Sequence, residues 1–387
     1  MFLARAEIRR SRGKFLMLTA AVGLLAYLIL VQQAIAGALV TSFNGAIANQ
    51  NAPVLVYATD ALASPQGSII TPDNESLIAD DPSVANSARV GILSAAATLA
   101  DHAGEASSSG TADETDETNE SAGETTVTIW GAEDPALGGP AEPVEGEAVA
   151  ADGEALGTRG DVSVGETVTI SGEEEDLTFT VVGLVEDAQV NVTPTLYVSY
   201  ADYEAAVATL NPFAQGVLPS LIAVEPASSA EETISALTEA SAAIEPLTRE
   251  AAAEDFPGVG PVNTSFLIIL GLFGFVVPLV TGLFFLILTF QKSKALTLLR
   301  AVGARSGVLV RSLMIQVVLV LGVGLAIGTA LYAITTQFVI GGLRLSFSWE
   351  TVALWSGILL VLGVLSALAS VRRVLAVEPV EATRGGH

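Results

Sequence analysis

The chain has 387 residues, 51% of them hydrophobic, and its mean hydropathy of +0.56 is higher than soluble globular domains usually reach. It contains 42 acidic residues against 17 basic ones and no cysteine, so disulfide bonds are excluded. Membrane spans are therefore expected, and roughly 20 consecutive apolar residues suffice for each one.

The first apolar run, residues 15–40, follows a basic N-terminal segment, residues 1–14. The run carries no charged residue, which is typical of a transmembrane helix. A signal peptide cleaved after Ala34-Ile35-Ala36 is the alternative, because it also begins with a basic segment before an apolar one. We expect the span to be retained, since the apolar run continues to Val40.

Residues 41–264 form a long, acidic segment that we interpret as an extracytoplasmic α+β domain. Residues 41–262 hold 38 acidic and three basic residues, a net charge of −35. Within it, residues 101–125 are rich in Ser, Thr, Gly and Glu and predict a disordered insert. Repulsion among the acidic residues of this segment destabilises a compact state unless salt screens the charges, so the composition favours a halophilic protein. An ordinary acidic surface is the alternative.

Local patterns in this domain predict short strands and two helices. The strands are predicted at 53–58, 89–93, 125–130, 166–170, 177–185, 196–199 and 221–225. The helices are predicted at 202–210 and 229–243.

Three further uncharged, apolar runs lie at residues 265–290, 312–340 and 351–371. Together with the first run they predict four transmembrane helices. The expected fold is thus an α-helical membrane protein with a large α+β extracytoplasmic domain inserted between the first and second spans.

The distribution of basic residues predicts the orientation of the spans. Thirteen of the 17 lie in residues 1–14, 291–311 and 372–387. Cytoplasmic flanks are enriched in Lys and Arg, so these three segments are expected in the cytoplasm. Residues 41–264 and the short loop 341–350 would then lie outside. This arrangement predicts a multi-pass protein of the plasma membrane with both termini in the cytoplasm.

Residues suited to catalysis are scarce. The two histidines are His102, in the predicted insert, and His387, at the last position, and a zinc site without Cys or paired His is implausible. No phosphate-binding loop motif occurs. The acidic run 173–176 is more typical of a solvated turn than of a calcium site. We therefore predict no catalytic residue, no metal, no cofactor and no enzymatic activity.

The basic loop 291–311 contains one amphipathic pattern. Ala295, Leu298, Leu299 and Val302 lie on one face of a helix, and Gly303 follows as a candidate helix end. Such a face rests on lipid headgroups or on a protein partner, and the composition does not decide between them.

The third span contains a separate packing motif. Gly324 and Gly328 are four residues apart, a spacing that allows close approach of another helix. Glycines that face lipid are the alternative.

The stretch LTLLRAVGA, residues 296–304, resembles the cytoplasmic signature of the FtsX-like and MacB-type ABC transporter permeases. The tail RRVLAVEPVEATRGG, residues 372–386, is similar to the tail of that family, and the order of spans and domain matches as well. The resemblance implies two permease subunits, as a homodimer or heterodimer in membrane lipid, and two separate cytoplasmic ABC ATPase subunits.

The resemblance also implies a mechanism, mechanotransmission, in which ATP-driven closure of the ATPases is relayed to the extracytoplasmic domain. Leu298, Leu299 and Val302 would then contact the ATPase, flanked by Ala295, Arg300 and Gly303. The substrate would be a lipid, a peptide or another hydrophobic molecule, and no nucleic acid is expected. A cell-division FtsX-like signal relay and a membrane-tethered surface protein without transport remain as alternatives. Substrate, direction of transport, subunit identity and glycosylation stay open.

Overall fold

The computed structural model describes residues 12–99, 124–172, 175–214, 216–291, 306–340 and 343–376. The chain divides into two compact units. Residues 39–262 form the first, which we call the sheet domain; residues 1–38 and 263–387 form the second, which we call the membrane unit.

Among the described residues, four long helices are apolar enough to cross a membrane, as predicted. Numbered in chain order with the rest of the chain, they are α1 (Arg12–Ala48), α7 (Val259–Gln291), α8 (Ser306–Thr335) and α9 (Trp349–Ala376). A two-stranded hairpin, β11 (Val339–Ile340) and β12 (Leu343–Arg344), lies between α8 and α9.

The third predicted span, 312–340, is corrected at its C-terminal end. Helix α8 stops at Thr335, and the amides of Gln337 and Phe338 close turns on the carbonyls of Ile334 and Thr335. The next residues belong to β11. An uninterrupted apolar run hides this boundary, because a short apolar strand and a helix end give the same hydropathy signal.

Helix α1 continues to Ala48, eight residues beyond the predicted span. Its last turns carry polar side chains that are buried within the sheet domain. The Asn44 Nδ2 atom donates to the carbonyl oxygen of Ala253 at 2.6 Å, and Ser42 is buried as well. The apolar run ends at Val40, whereas the helix continues to Ala48, where tertiary hydrogen bonds stabilise its last turns.

The sheet domain combines strands with short helices. The helices are α2 (Pro72–Ala79), α3 (Pro135–Gly138), α4 (Tyr200–Leu210), α5 (Ala230–Ala240) and α6 (Arg249–Glu254). The strands are β1 (Val54–Ala58), β2 (Val84–Leu99), β3 (Glu124–Ala132), β4 (Glu145–Gly146), β5 (Glu154–Thr158), β6 (Thr167–Ile170), β7 (Leu177–Val185), β8 (Thr195–Ser199), β9 (Leu221–Pro226) and β10 (Ile244–Thr248).

These ten strands form one mixed sheet in the order β10-β1-β9-β2-β3-β8-β5-β7-β4, with β6 paired to β2 and β7. Strands β3 and β8 pair in parallel, as do β5 and β7, and the other pairs are antiparallel. The predicted strands at 166–170 and 177–185 are confirmed as an antiparallel pair, with Ile170 opposite Leu177.

Both faces of the sheet are covered. Leu55 and Tyr57 of β1 belong to a core cluster with the end of α1, whereas Val54 and Val56 belong to a cluster with α2 and α5. The period of two along a strand sends alternate side chains to opposite faces, so a strand covered on both faces is continuously apolar. This explains the sequence VLVYA in β1.

Helix α4 approaches the sheet closely at two glycines. The Tyr203 ring occupies the space that a β-carbon at Gly91 of β2 would need, and Tyr203 Cβ does the same at Gly131 of β3. Any larger residue at these positions would displace the tyrosine. Two absent side chains therefore allow the helix to lie directly on the sheet.

Two predicted elements need correction. The helix expected at 229–243 ends at Ala240, where Ser241 is extended, and β10 begins at Ile244. Glu124 and Thr125, assigned to the disordered insert, pair with β2 as the start of β3. The rest of the insert, residues 101–123, lies outside the described residues.

Candidate functional site

The residues predicted to couple to an ATPase lie outside the described residues. They are Ala295, Leu298, Leu299, Arg300, Val302 and Gly303. The structure describes the helices on either side: α7 ends at Gln291 and α8 begins at Ser306. The predicted coupling residues therefore lie in the connection between these two helices, and the coupling helix itself stays a prediction.

The structure places Gly324 and Gly328 against α1. A β-carbon at Gly328 would lie 2.7 Å from the carbonyl oxygen of Gly23, and one at Gly324 would lie 2.8 Å from Val22 Cγ1. A β-carbon at Gly23 would in turn lie 3.1 Å from the carbonyl oxygen of Gly324. Glycines on both helices therefore let the two backbones touch, a contact that favours association between helices in lipid.

Apolar side chains extend this contact along the helices. On the N-terminal side, Leu18 and Val22 of α1 pack with Val317 and Leu321 of α8. A second cluster joins α1 to the other spans; its buried members are Ala26, Ile29, Val277, Leu325 and Leu359. Because lipid tails are as apolar as these side chains, the packing contributes through close van der Waals contact rather than through exclusion of water.

Polar side chains connect α1 to α8, and α8 to the segment that precedes α9, at one end of the unit. The Tyr27 hydroxyl lies 3.1 Å from Thr335 Oγ1, and the Tyr332 hydroxyl donates to the carbonyl oxygen of Ser346 at 2.9 Å. A hydrogen bond between membrane helices, such as the one between Tyr27 and Thr335, contributes roughly 0.6–2 kcal/mol. These hydrogen bonds were not predicted from the sequence, where the signal was the presence of Tyr and Thr within otherwise apolar runs.

A further hydrogen bond joins α7 and α9. Ser366 Oγ donates to the carbonyl oxygen of Pro278 at 2.6 Å. Pro278 lies inside α7, where a proline removes one backbone donor and bends the helix. The serine thus binds the helix at its irregular position.

Helix α7 is the least covered of the four. Only 11% of the most apolar stretch of α7 is buried, against 39% of the corresponding stretches of α1 and α8. Leu267, Ile268, Leu272 and Phe275 are each more than 60% exposed. This face is therefore available to lipid or to another protein helix.

In the sheet domain, Arg89 of β2 forms ion pairs with two acidic side chains. Its guanidinium makes two hydrogen bonds to the Glu133 carboxylate, at 3.1 and 3.0 Å, and lies 3.8 Å from a Glu75 oxygen. It also lies over the Tyr200 ring, 4.7 Å from the centroid. The hydrogen bonds from Arg89 lower the pKa of Glu133. This is a satisfied ion pair, which makes it a structural contact rather than a reactive one.

Burial raises the pKa of Tyr57, Tyr197, Tyr200 and Tyr203, with like-charged or acidic neighbours adding to the effect at three of them. A tyrosine is protonated at neutral pH even without such a shift, so the shift does not change its charge there. Within the residues that the structure describes, no group of three or more His, Asp or Glu side chains is arranged to hold a metal ion.

The model of the FtsX-like permease C-terminal family matches residues 262–379. The resemblance to FtsX-like permeases is confirmed. The match starts within α7, includes α8, the hairpin and α9, and contains the segment 296–304 that carries the predicted coupling residues.

A curated relative is also similar to part of the chain. Over 125 residues the chain is 30% identical to the hemin transport system permease protein HrtB of Staphylococcus haemolyticus, strain JCSC1435. The aligned part is 32% of this chain and 34% of HrtB, so the chain spans about a third of the length of this relative.

Two solved structures are similar to part of the chain. The periplasmic region of MacB from Actinobacillus actinomycetemcomitans aligns with a TM-score of 0.33 and 10% identity, over 52% of this chain and 91% of that one. The extracellular domain of the ABC-type transporter YknZ from Gram-positive bacteria aligns with a TM-score of 0.30 and 13% identity, over 51% and 100%.

Proposed function

We propose that the chain is the permease subunit of an ABC transporter of the mechanotransmission type, acting with a separate cytoplasmic ATPase. The observation that carries the proposal is the FtsX-like permease match over residues 262–379. It coincides with three apolar helices and the basic loop between the first two of them.

The composition of the spans supports mechanical coupling rather than conduction between the helices. The predicted runs 15–40, 265–290, 312–340 and 351–371 contain no Asp, Glu, Lys or Arg. Ion and proton pathways through a membrane use such residues. A permease of this composition transmits movement, and its work is performed at the sheet domain, which we place outside the cell.

The direct backbone contact between α1 and α8 supports this transmission. Gly23, Gly324 and Gly328 bring the two helices close together. Closely packed helices move as one body because interiors packed without voids are hardly compressible. A displacement of the loop at the start of α8 would therefore reach α1, the span that leads into the sheet domain.

The partners follow from the same proposal. ATP hydrolysis takes place in the cytoplasmic ABC ATPase subunit, and this chain performs no catalysis. The exposed apolar face of α7 faces membrane lipid or a second permease subunit, which is a copy of this chain or a related one. The cargo is a lipid, a peptide or another hydrophobic molecule; the hemin in the name of HrtB belongs to that protein.

The experiment that tests the proposal targets the predicted coupling helix. Leu298→Asp combined with Leu299→Asp should reduce co-purification with the ATPase and abolish stimulation of its hydrolysis. Two apolar side chains contribute roughly 1.5–3 kcal/mol each when fully buried, and carboxylates add a desolvation penalty in an apolar groove. Membrane insertion should persist, because the basic residues of the loop remain.

Leu296→Asp is the matched control, since it lies off the 295/298/299/302 face and should have a smaller effect. If the double variant binds and stimulates the ATPase like the wild type, the loop only anchors the topology. A membrane-tethered surface protein would then be the better interpretation.

A further inference from the structure

A groove with a volume of about 660 Å³ lies in the membrane unit, between α8 and the first two turns of α9. Helix α8 lines it with Ala326, Thr329, Ala330 and Ala333, which share one face of the helix because they follow one another at intervals of three and four residues. We call these four residues the groove face of α8. The side chains that α9 adds include Val352 and Ser356.

The groove face is accessible from outside the unit. Ala326 and Ala330 are exposed, and Thr329 and Ala333 are half-buried. The opposite face of α8 carries Gly328, which packs against the backbone of α1. The contact with α1 therefore leaves the groove face open, and its short side chains give the groove its depth.

Aromatic side chains close one end of the groove. The Phe347 ring stacks on Tyr332 at 5.3 Å and meets the Trp349 ring edge-on at 4.9 Å. The Tyr332 hydroxyl is itself fixed on the carbonyl oxygen of Ser346. Trp349 lines the groove and is 72% exposed at the first position of α9. Because tryptophan concentrates at the boundary between membrane and water, this end of the groove lies at headgroup level.

The length of the groove equals the depth of one leaflet. Its deepest residue on α8 is Leu325, and the helix ends ten residues later at Thr335, a rise of about 15 Å. The hydrocarbon core of a bilayer is about 30 Å thick, so the groove reaches from the headgroups to the middle of the membrane. A transmembrane helix of another subunit would cross both leaflets, whereas this groove ends halfway. The dimensions favour a lipid chain as the occupant.

The surroundings of the groove favour the same occupant. None of the described residues that line it is charged, which suits a hydrocarbon chain. On both sides the groove continues into exposed apolar surface, with Ile327 and Leu331 on α8 and Leu354 on α9. A lipid can therefore enter sideways from the bilayer. An empty groove would lose the van der Waals contacts that its walls could make, so filling it is favourable.

We propose that this groove binds one acyl chain of a membrane lipid, from the leaflet on the side of the β11–β12 hairpin. The chain packs on the groove face of α8, and the headgroup lies beside Trp349 and Gln337, which are both exposed. The chain is recognised by its shape, and the headgroup adds little. The site goes beyond the proposed permease function, since it requires neither ATP nor cargo.

The test titrates the full-length chain in detergent with dioleoyl phosphatidylcholine and counts bound lipids by native mass spectrometry. The wild type should retain one lipid with saturation. Ala326→Trp and Ala330→Trp fill the groove at exposed positions and should each weaken this binding about tenfold or more.

Ala353→Trp is the matched control, because Ala353 is exposed on α9 at a similar depth and does not line the groove. It should bind lipid like the wild type. If all three tryptophan variants keep the thermal stability and the lipid affinity of the wild type, the groove is not the site.

Two measurements on the unaltered groove test the proposal separately. Dioleoyl phosphatidylglycerol should bind within about threefold of the phosphatidylcholine, and glycerophosphocholine, which has no chains, should not compete. A preference of more than tenfold for one headgroup, or competition by glycerophosphocholine, would overturn the proposal, because the headgroup would then direct binding.

Cross-linking tests whether a second copy of the chain covers the groove instead. The chain has no cysteine of its own, so Ala330→Cys can be treated with a short bismaleimide in native membranes. We expect no cross-linked dimer; efficient cross-linking would overturn the proposal. The Leu298→Asp, Leu299→Asp variant should bind lipid normally, so failure of the permease proposal and failure of this one give different results.

Discussion

The carbonyl oxygen of Gly23 in α1 lies 2.7 Å from the point that a β-carbon at Gly328 in α8 would occupy. The obstacle is backbone, which cannot rotate away as a side chain can. At Gly324, four residues earlier, the nearest obstacles are Val22 Cγ1 and the carbonyl oxygen of Thr19. The separation of the two helices is therefore set by the absence of side chains at these positions.

Gly328→Leu should force α1 and α8 apart and lower the thermal stability of the full-length chain. Overpacking of this kind costs about 1–3 kcal/mol. The control is Gly322→Leu in the same helix, where no atom lies within 4 Å of the added β-carbon. The denaturation midpoint in detergent should fall for position 328 and stay near the wild-type value for position 322; equal midpoints would mean that the contact does not stabilise the unit.

Asp187→Asn should stabilise the sheet domain. Asp187 has a φ of +52°, a conformation that Asn tolerates better than most residues, and its backbone carbonyl accepts a hydrogen bond from Asn49 Nδ2 that the variant keeps. Burial raises the pKa of Asp187, and the negative charge of the neighbouring Glu186 raises it further. The gain should be on the order of 0.5 kcal/mol in a urea titration.

The sign of the pH dependence follows from that raised pKa. The folded chain holds the Asp187 proton more tightly than the unfolded chain, so the wild type loses stability as pH rises through the interval between the two pKa values. The advantage of Asp187→Asn should therefore shrink as the pH is lowered from about 7 towards about 4.5. Asp187→Ala, which also removes the charge but disfavours positive φ, should gain less than Asn. An advantage of Asn that grows on acidification would contradict the assignment.

Salt should stabilise the sheet domain. Residues 41–262 carry a net charge of −35, so their acidic side chains repel one another over long distances in dilute buffer. At 1 M salt the Debye length falls to roughly 3 Å and this repulsion is screened. We expect the circular dichroism melting midpoint of the full-length chain to rise between about 0.1 and about 2 M NaCl. Sucrose at matched water activity is the control, because it acts by exclusion and not by screening. A midpoint that does not change with NaCl would leave the acidity as an ordinary surface property.

Cysteine labelling can test the orientation, since the chain has no cysteine of its own. Ala227→Cys in the sheet domain and Ser346→Cys near the start of α9 occupy exposed positions and should react with a membrane-impermeant maleimide in intact cells. Ser293→Cys, in the basic loop, should react only after lysis. Reaction at position 293 in intact cells would rule out the four-span topology.

Strands with a clear alternation were predictable. In β6 and β7, Val168, Ile170, Phe179 and Val181 are buried while threonines between them are not, so the pattern alone locates the pair. The order of the strands was not predictable, because hydropathy does not record which strand lies beside which.

Strand β10 shows a second limit. Its sequence IEPLT contains an acid and a proline, neither of which favours a strand, and the preceding helix was expected to continue to Ala243. In the structure β10 is the last strand in the sheet and pairs with β1 alone, so Pro246 is accommodated at an edge.

The contact between α1 and α8 was predictable only on one side. The spacing of Gly324 and Gly328 indicated a helix contact, whereas the identity of the partner, Gly23 of α1, could be learned only from the tertiary structure.

The position of β1 in the sheet has a consequence for biogenesis. Its two neighbours are β9 and β10, and Leu221, the first residue of β9, follows Ala58 by 163 positions. Contacts over such a separation form late, because closing a long loop is costly in entropy. Until the chain beyond Leu221 has been synthesised, the apolar segment VLVYA has neither strand partner and is exposed to aggregation. The domain thus cannot fold progressively from its N-terminal strand as the chain emerges, and a ribosomal stall before residue 221 would leave that strand unprotected.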